Sequence, residues 1–456
     1  MEPLEGTMPE SLGSVDISPR LQRIAKLARE MPQAALTTLA HHIDMDLMRE
    51  AFRRTRKDGA TGVDGQTAAQ FAEDLEGNLR RLLEQAKSGT YRAPAVRRTH
   101  VPKGDGSKRR PIGIPTFADK VLQRAAAMVM EAVFEQDFVD WSYGFRPGRS
   151  AHQAVQALWE QMMSMHGGWV IEVDIRSFFD ELDHGHLRQF VSQRVRDGVL
   201  LRLVGKWLKA GVMEHGQVHR PKAGTPQGGV ISPLLANVYL HEVFDSWFDQ
   251  EVKPRMRGRV AAIRYADDIV VVAQRERDAQ RIMEVLPKRF GRYGLRLHPE
   301  KTRLVRFGRP RKGSKDPKGG GSGGGRSFDF LGFTHYWDLS RKGTWIVKRR
   351  TAKARFALAV RRVWLWCRNH RHDPVEEQHV KLCQKVRGHY GYYGITGNSA
   401  ALSSFWEQVK RAWRRWLNKR SQRARMNWPR FNRLLKRYPL PLPRVVHSYL
   451  RLAAKP

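Results

Sequence analysis

Three aspartates stand where an acid is costly. IRYADDIVVVAQ, residues 263–274, sets Asp267 and Asp268 side by side between apolar, β-branched runs, and WVIEVDIRSFF, residues 169–179, sets Asp174 at the end of another such run. A carboxylate at the end of an apolar strand is expensive to desolvate unless it is paired or bound to a cation. If the two strands are sheet neighbours, Asp174 and Asp267 converge, and their repulsion raises their proton affinity unless a divalent cation offsets it. Oxygen-only ligands of this kind suit Mg²⁺. Two such ions shared by two aspartates clamp the attacking and leaving oxygens of phosphoryl transfer, one activating a 3′-hydroxyl and the other holding a triphosphate. The residues leave one alternative open: Asp is a common turn residue, and the pair could be no more than a hairpin tip.

The elements that must position these acids are readable in outline. Residues 18–86 carry apolar residues at three- and four-residue steps and read as helices, broken by the turn TGVDGQT at 61–67. YRAPAVRRTHVPKGDGSKRRPIGIPT, residues 91–116, reads as two short strands around the cationic loop GDGSKRR, and helix returns over 118–136. Between the acidic strands lie the helical run HGHLRQFVSQRV and the segment KAGTPQGGVISPLLANVYLHEVFDSWF (222–248), a Gly-rich turn leading into an amphipathic helix. The helix DAQRIMEVLPKRFGRYG, the strand LRLHPEKTRLVRFG and the strand FDFLGFTHYWD follow. This order predicts an α/β sheet with helices packed on one face. Residues 308–327 are low-complexity and Gly-rich and are expected to form a flexible surface loop between two strands of one domain. Beyond about residue 346 the chain reads as basic, Trp-rich helix.

Charge narrows the function. The 456 residues hold 82 Lys and Arg against 45 Asp and Glu, a formal net charge of +37, and the pI is near 10.8. Self-repulsion at this charge opposes compaction unless something neutralises it, so a polyanionic partner is expected. Residues 341–456 alone carry 29 Lys and Arg against 4 Asp and Glu. The only two cysteines, Cys367 and Cys383, fit no compact metal motif and point to a reducing compartment. The N-terminal stretch has no basic and apolar leader, and no run of about 18 apolar residues occurs, so the expectation is a cytoplasmic, nucleic-acid-associated protein with no membrane partner.

An ordered series of segments then resembles the bacterial group II intron reverse transcriptases, also called maturases. HVPKGDGSKRRPIGIPTFADKVLQRA, SYGFRPGRSAHQAV, VIEVDIRSFFDELDH, GTPQGGVISPLLANVYLHEVFD, RYADDIVV, GLRLHPEKTRLVRF and FDFLGFTHY resemble seven successive blocks of that family. VRGHYGYYGITGN and the helices after it resemble the thumb and maturase region. The resemblance covers about residues 20–450 and implies a right-hand polymerase: fingers, a palm with a ferredoxin-like βαββαβ core, and a helical thumb.

Carried over by position, it implies Asp174, Asp267 and Asp268 as catalytic, metal-binding aspartates, with Asp268 touching metal less directly, and a pair of Mg²⁺ ions as cofactor. Phe179 falls where the family places an aromatic wall under the incoming sugar, a ring that would collide with a 2′-hydroxyl; as a residue alone it could equally be a core Phe beside Phe178. Lys103 and Arg110 flank the cationic loop where the triphosphate is held, with Arg109 able to take Arg110's part. Gln227 matches a nucleotide-pocket glutamine, Lys301 either faces the catalytic centre or is a solvated strand-start lysine, and Leu331 with Gly332 resembles the turn that grips the primer end. Arg146 and Arg149 are expected on the template backbone.

The implied partition is a helical N-terminal extension over 1–90, reverse transcriptase fingers and palm over 91–345, and a basic thumb/maturase region over 346–456. Roughly the last 40 residues form a candidate DNA-binding segment. The implied function is an RNA-directed DNA polymerase that copies an RNA template from a DNA primer at a DNA target with dNTPs, and that also binds structured intron RNA and assists splicing and mobility. Nothing after residue 350 resembles a Cys-rich HNH nuclease, so second-strand cleavage is not expected of this chain. The alternatives are a domesticated relative in DNA repair or phage defence, and a splicing-only RNA-binding maturase.

Overall fold

The computed structural model describes residues 18–103, 108–214, 217–219, 224, 228–310, 327–340, 342–421, 423 and 425–448. The side chains of Lys103 and Lys108, all of Gln227 and the segment 311–326 lie outside the described residues, and with them the expectations placed there.

Residues 18–88 are largely helical, as their periodicity predicts: α1 Ser18–Glu30, α2 Met45–Arg54, α3 Ala68–Ala72 and α4 Leu75–Ser88. Short acceptor side chains start α2, α3 and α4, with Asp44, Thr67 and Asp74 each accepting a backbone N–H of the following turn. Strands β1 Val96–Lys103 and β2 Lys108–Ile114 form the expected antiparallel hairpin. Helix α5, Phe117–Phe134, capped by Thr116, is apolar nearly all round and runs buried beneath α1 and α2.

Helix α6 spans Ala151–Ser164, and strand β3 spans Trp169–Val173. The strand ends earlier than the apolar run suggested, because Ser177 turns the chain at φ +42 into the short helix α7, Phe178–Glu181. Helices α8 His184–Arg194 and α9 Gly198–Lys209 follow, then short strands β4 Val212–Glu214 and β5 Gln217–His219, which extend the first hairpin to the order β2-β1-β4-β5. Helix α10, Ser232–Leu240, continues in two π-helical turns, His241–Asp245 and Phe248–Val252.

Strands β6 Val260–Tyr265 and β7 Asp268–Ala273 form an antiparallel hairpin, helix α11 covers Glu276–Arg292, and β8 covers Arg303–Arg306. Ile269–Ala273 are buried on both faces, which is why this strand reads as an unbroken apolar run rather than an alternation. The sheet order is β6-β7-β3-β8. With the helices interposed, this is the split βαββαβ arrangement of a ferredoxin-like unit.

The remaining strands are β9 Ser327–Phe330, β10 Phe333–Leu339 and β11 Trp345–Thr351, in the order β11-β10-β9. FDFLGFTHYWD is thus two strands rather than one, turned at Leu331 (φ +48) and Gly332 (φ +80). Helices α12 Lys353–Asn369, α13 Val375–Tyr393, α14 Ser399–Leu417 and α15 Trp428–Arg437 complete the chain.

Two compact units result: Met1–Ala157 with Val170–Leu304, and Leu158–Trp169 with Val305–Pro456. This differs from the expected partition at 90 and 345. Helices α1 and α2 pack on α5, so the N-terminal helices belong to the first unit, and β9–β11 group with the C-terminal helices in the second. The second unit's core is built around the fully buried Trp413 with Leu382, Val386, Leu402, Phe405 and Phe431, and Trp364 meets Trp416 edge-to-face at 4.8 Å. Cys367 and Cys383 are free and buried there. Among the described residues no helix is long and apolar enough to cross a membrane.

Candidate active site

Asp174 directly follows β3, and Asp268 opens β7, its neighbour in the sheet. In a split βαβ arrangement β3 and β6 run parallel, so β7, antiparallel to β6, runs against β3 and its beginning meets β3's end. Asp267 occupies the two-residue turn with Ala266, which sits at φ +55. Asp174 and Asp267 are half-buried and Asp268 is exposed.

The backbone of Asp174 is fixed from the segment before β8. Thr302 Oγ1 both accepts from the Asp174 N–H and donates to its carbonyl, each at 3.3 Å, and the His298 N–H donates to the same carbonyl at 2.8 Å. Arg176 N–H donates to the Arg296 carbonyl at 2.8 Å, and Ile175 bridges Leu297. The expected strand 295–308 is therefore mostly an irregular clamp on Asp174. It delivers Lys301, whose ammonium lies 3.2 Å from Asp174 Oδ2 on a side chain that stays more than half exposed.

Phe179 lies on α7, buried, with its ring 5.3 Å from that of Phe178 in a T-shaped pair. The Gly-rich turn is pinned on both sides of Gln227. Gly224 donates to the Leu182 carbonyl at 2.8 Å, and His184 Nε2 meets the Gly224 carbonyl at 2.5 Å. Gly228, at φ +119, presses on β2 so closely that a Cβ would lie 2.4 Å from the Gly113 carbonyl oxygen. Burial pushes the Asp180 carboxyl up from its ordinary value while Arg98 and Arg110, facing it, pull it down. Asp180 and Arg98 escaped the sequence reading; the signal available was an acid adjoining Phe179 and an arginine in the hairpin that carries Arg110.

Arg146 does not face outward. Its guanidinium, 3% exposed, meets Glu135 at 3.1 Å and donates to the carbonyls of Val139 at 2.6 Å and Ser142 at 2.8 Å, which corrects its expected place on a template backbone. Arg149 is partly exposed and paired with Asp140 at 2.9 Å. In the second unit the Leu331–Gly332 turn is held by Tyr392, whose hydroxyl donates to the Leu331 carbonyl at 2.8 Å.

The donor set on these strand ends is all oxygen, the chemistry of Mg²⁺ rather than of a softer ion. Among the described residues no three His, Cys, Asp or Glu side chains close around a single point as a ready metal cage. An open set of carboxylates fits Mg²⁺ all the same, since that ion keeps waters and substrate phosphates in its shell.

The strand order and the acids together make a split βαββαβ sheet that carries carboxylates on adjoining strand ends. A family model described as "Reverse transcriptase (RNA-dependent DNA polymerase)" matches residues 101–335. Group II intron-encoded protein LtrA of Lactococcus lactis subsp. cremoris is 34% identical over 285 residues, 59% of this chain and 46% of that protein. Protein YkfC of Escherichia coli K12 is 34% identical over 327 residues, 64% of this chain and 81% of that protein. Nuclear intron maturase 3 of Arabidopsis thaliana is 27% identical over 203 residues, 39% of this chain and 28% of that protein. The chain belongs to the reverse transcriptase family, in the group II intron-encoded branch. It matches just under half the length of LtrA.

Proposed function

We propose that this protein is an RNA-directed DNA polymerase of the group II intron type, and that it also binds structured RNA. The observation that carries the reading is the strand order β6-β7-β3-β8 inside the matched segment, with Asp174 after β3 and Asp267 and Asp268 where β7 begins. Asp174 and Asp267 would hold two Mg²⁺ ions, with Asp268 shaping the field beside them. Those ions, when bound, would activate a primer 3′-hydroxyl and offset charge on the leaving pyrophosphate. Lys301 supplies a cation beside Asp174, and Arg110 offers a bidentate fork to phosphate oxygens. Phe179 walls the sugar and favours dNTPs over ribonucleotides, and Gln227 borders the nucleotide. Leu331 and Gly332 seat the primer end. The basic C-terminal helices supply phosphate contacts for RNA and for a DNA target, and splicing assistance and intron mobility would build on that surface.

The test is primer extension on an RNA template in Mg²⁺, with Asp267→Ala as the variant. Extension by the wild-type chain and a loss of at least about 1,000-fold in the variant are expected for removal of a charge acting on the transition state. Near-normal extension by Asp267→Ala would remove the assignment.

A further inference from the structure

Arg264, the residue before Tyr265 in IRYADD, has a fully buried side chain in a strand that is otherwise apolar. Its Nε donates to Asp245 Oδ1 at 2.8 Å and its Nη2 to Asp245 Oδ2. Its Nη1 donates to Asn237 Oδ1 at 2.9 Å and to the carbonyl of Ala266 at 3.2 Å. Asp245 is fully buried too; burial alone would push its carboxyl up, but Arg264 and His241 hold it below the ordinary aspartate value. Asn237 passes the contact on, its Nδ2 donating to the Gly144 carbonyl at 2.7 Å. Gly144 closes the ring from the other side, because a Cβ built on it would lie 2.2 Å from the Ala266 nitrogen. Residues 141–143 lie along the same strand, with Arg264 N–H donating to Trp141 O at 2.9 Å and Tyr143 N–H to Arg264 O at 2.8 Å.

The object at the centre of this ring is the Ala266–Asp267 turn. An alanine at φ +55 is in a conformation that costs about 1 kcal/mol or more outside glycine and persists only where the surroundings impose it. The Ala266 carbonyl belongs to the peptide plane that leads into Asp267, so what holds that oxygen sets the direction of the Asp267 Cα–Cβ bond. A buried ion pair is a poor device for stability alone, since apolar residues of similar volume often serve as well. A planar guanidinium with fixed donors is a good device for placing a carbonyl.

We propose that Arg264 is a positioning residue for Asp267: held by Asp245 and Asn237, it fixes the Ala266 carbonyl and with Gly144 locks the turn that aims the carboxylate. The inference rests on the reading of Asp267 as a metal-binding acid. Two variants test it by different routes. Arg264→Lys keeps the charge and loses the fork, and Gly144→Ala pushes a methyl against the turn while leaving the ion pair intact.

Four quantities are measured on full-length protein: melting temperature without divalent metal, Mn²⁺ affinity from the electron spin resonance of the free ion, kcat for primer extension, and primer–template Kd. Both variants should weaken Mn²⁺ binding and lower kcat by about 10- to 100-fold, the scale of an ångström-level misplacement, with primer–template Kd changed less than about twofold. Wild-type Mn²⁺ affinity and kcat in either folded variant would overturn the proposal. Melting of both variants below the assay temperature would also overturn it, because it would assign the network to stability. If wild-type protein neither binds Mn²⁺ more tightly than Asp267→Ala nor extends a primer, the polymerase reading itself fails, an outcome distinct from a functional wild type whose Arg264 and Gly144 variants behave normally.

Discussion

Lys301 and Asp174, 127 residues apart in sequence, meet as an ion pair across the end of β3, the ammonium 3.2 Å from the carboxylate. Both side chains remain partly exposed, so the pair adds only about 0–1 kcal/mol to folding. The use proposed for it, beside a catalytic candidate, is as a cation next to charge that develops on a triphosphate. Lys301→Met should therefore leave the melting temperature almost unchanged and lower single-turnover nucleotide addition by about 10- to 100-fold. An unchanged rate would reduce Lys301 to a surface partner of Asp174.

The role proposed for Phe179, a wall under the incoming sugar, can be tested by opening it. Its ring is buried against Phe178 and its helix is braced by Gly224, so trimming the ring makes room locally rather than shifting α7. Phe179→Val should raise the ratio of ribonucleotide to deoxynucleotide incorporation by about tenfold or more, the discrimination that a steric contact of 1–3 kcal/mol provides. The check is competition between matched rNTP and dNTP on one primer–template. A constant ratio in folded protein would return Phe179 to the core.

The acid-bearing hairpin could be read from IRYADDIVVVAQ because turn residues between β-branched runs are a local signal, and β6 and β7 end where that signal puts them. What the local pattern could not give was long-range pairing. Arg264 finds Asp245 and Asn237 on the helical run preceding its strand, and nothing in an arginine between apolar residues names its partner; that it must have one was legible from desolvation alone. The clamp on Asp174 was hidden for a related reason. GLRLHPEKT has the composition of a strand, but its hydrogen bonds go to residues 174–176 at single points rather than along a ladder. Strands β4 and β5 were missed because three residues carry no readable period.

Arg146 separates structural from template-facing arginines. With its guanidinium divided between Glu135 and the carbonyls of Val139 and Ser142, Arg146→Met leaves a largely buried acid and two carbonyls without their donor. A loss of about 3–5 kcal/mol in urea unfolding is expected, together with an unaltered primer–template Kd per folded molecule. A weaker Kd at undiminished stability would restore Arg146 to the template surface.

Asp119 gives the first unit a pH signature. It is buried on α5, accepting from Trp207 Nε1 at 2.8 Å, Gln123 Nε2 at 3.0 Å and the Tyr91 hydroxyl. Burial raises its pKa from 3.8 to about 6, against the pull of those hydrogen bonds. Between these values the folded form keeps a proton that the unfolded form releases, so Asp119's contribution to stability falls as pH rises from about 4 to about 6. Asp119→Asn removes the titration and keeps an acceptor. The difference in unfolding free energy, wild type minus variant, should fall across that window by up to ~3 kcal/mol and stay level above it. A flat difference would mean that Asp119 titrates elsewhere.

The excess charge makes its own prediction. Tryptophans of the second unit are largely taken up by its core, but Arg411, Arg415 and Lys419 stand exposed at four-residue spacing along α14 and just past its end. Their charge has no role in packing, and the use proposed for it is phosphate contact. Each phosphate neutralised releases counterions and adds about 0.7–0.9 to the slope of log affinity against log salt. Replacing the three by Gln should therefore lower that slope by about 2 for RNA binding, weaken the affinity at low salt, and leave the melting temperature unchanged. This triple variant is a better probe than truncation near residue 346, which would cut through β11 and unravel the sheet it belongs to. An unaltered slope with intact folding would put the RNA surface on another face of the chain.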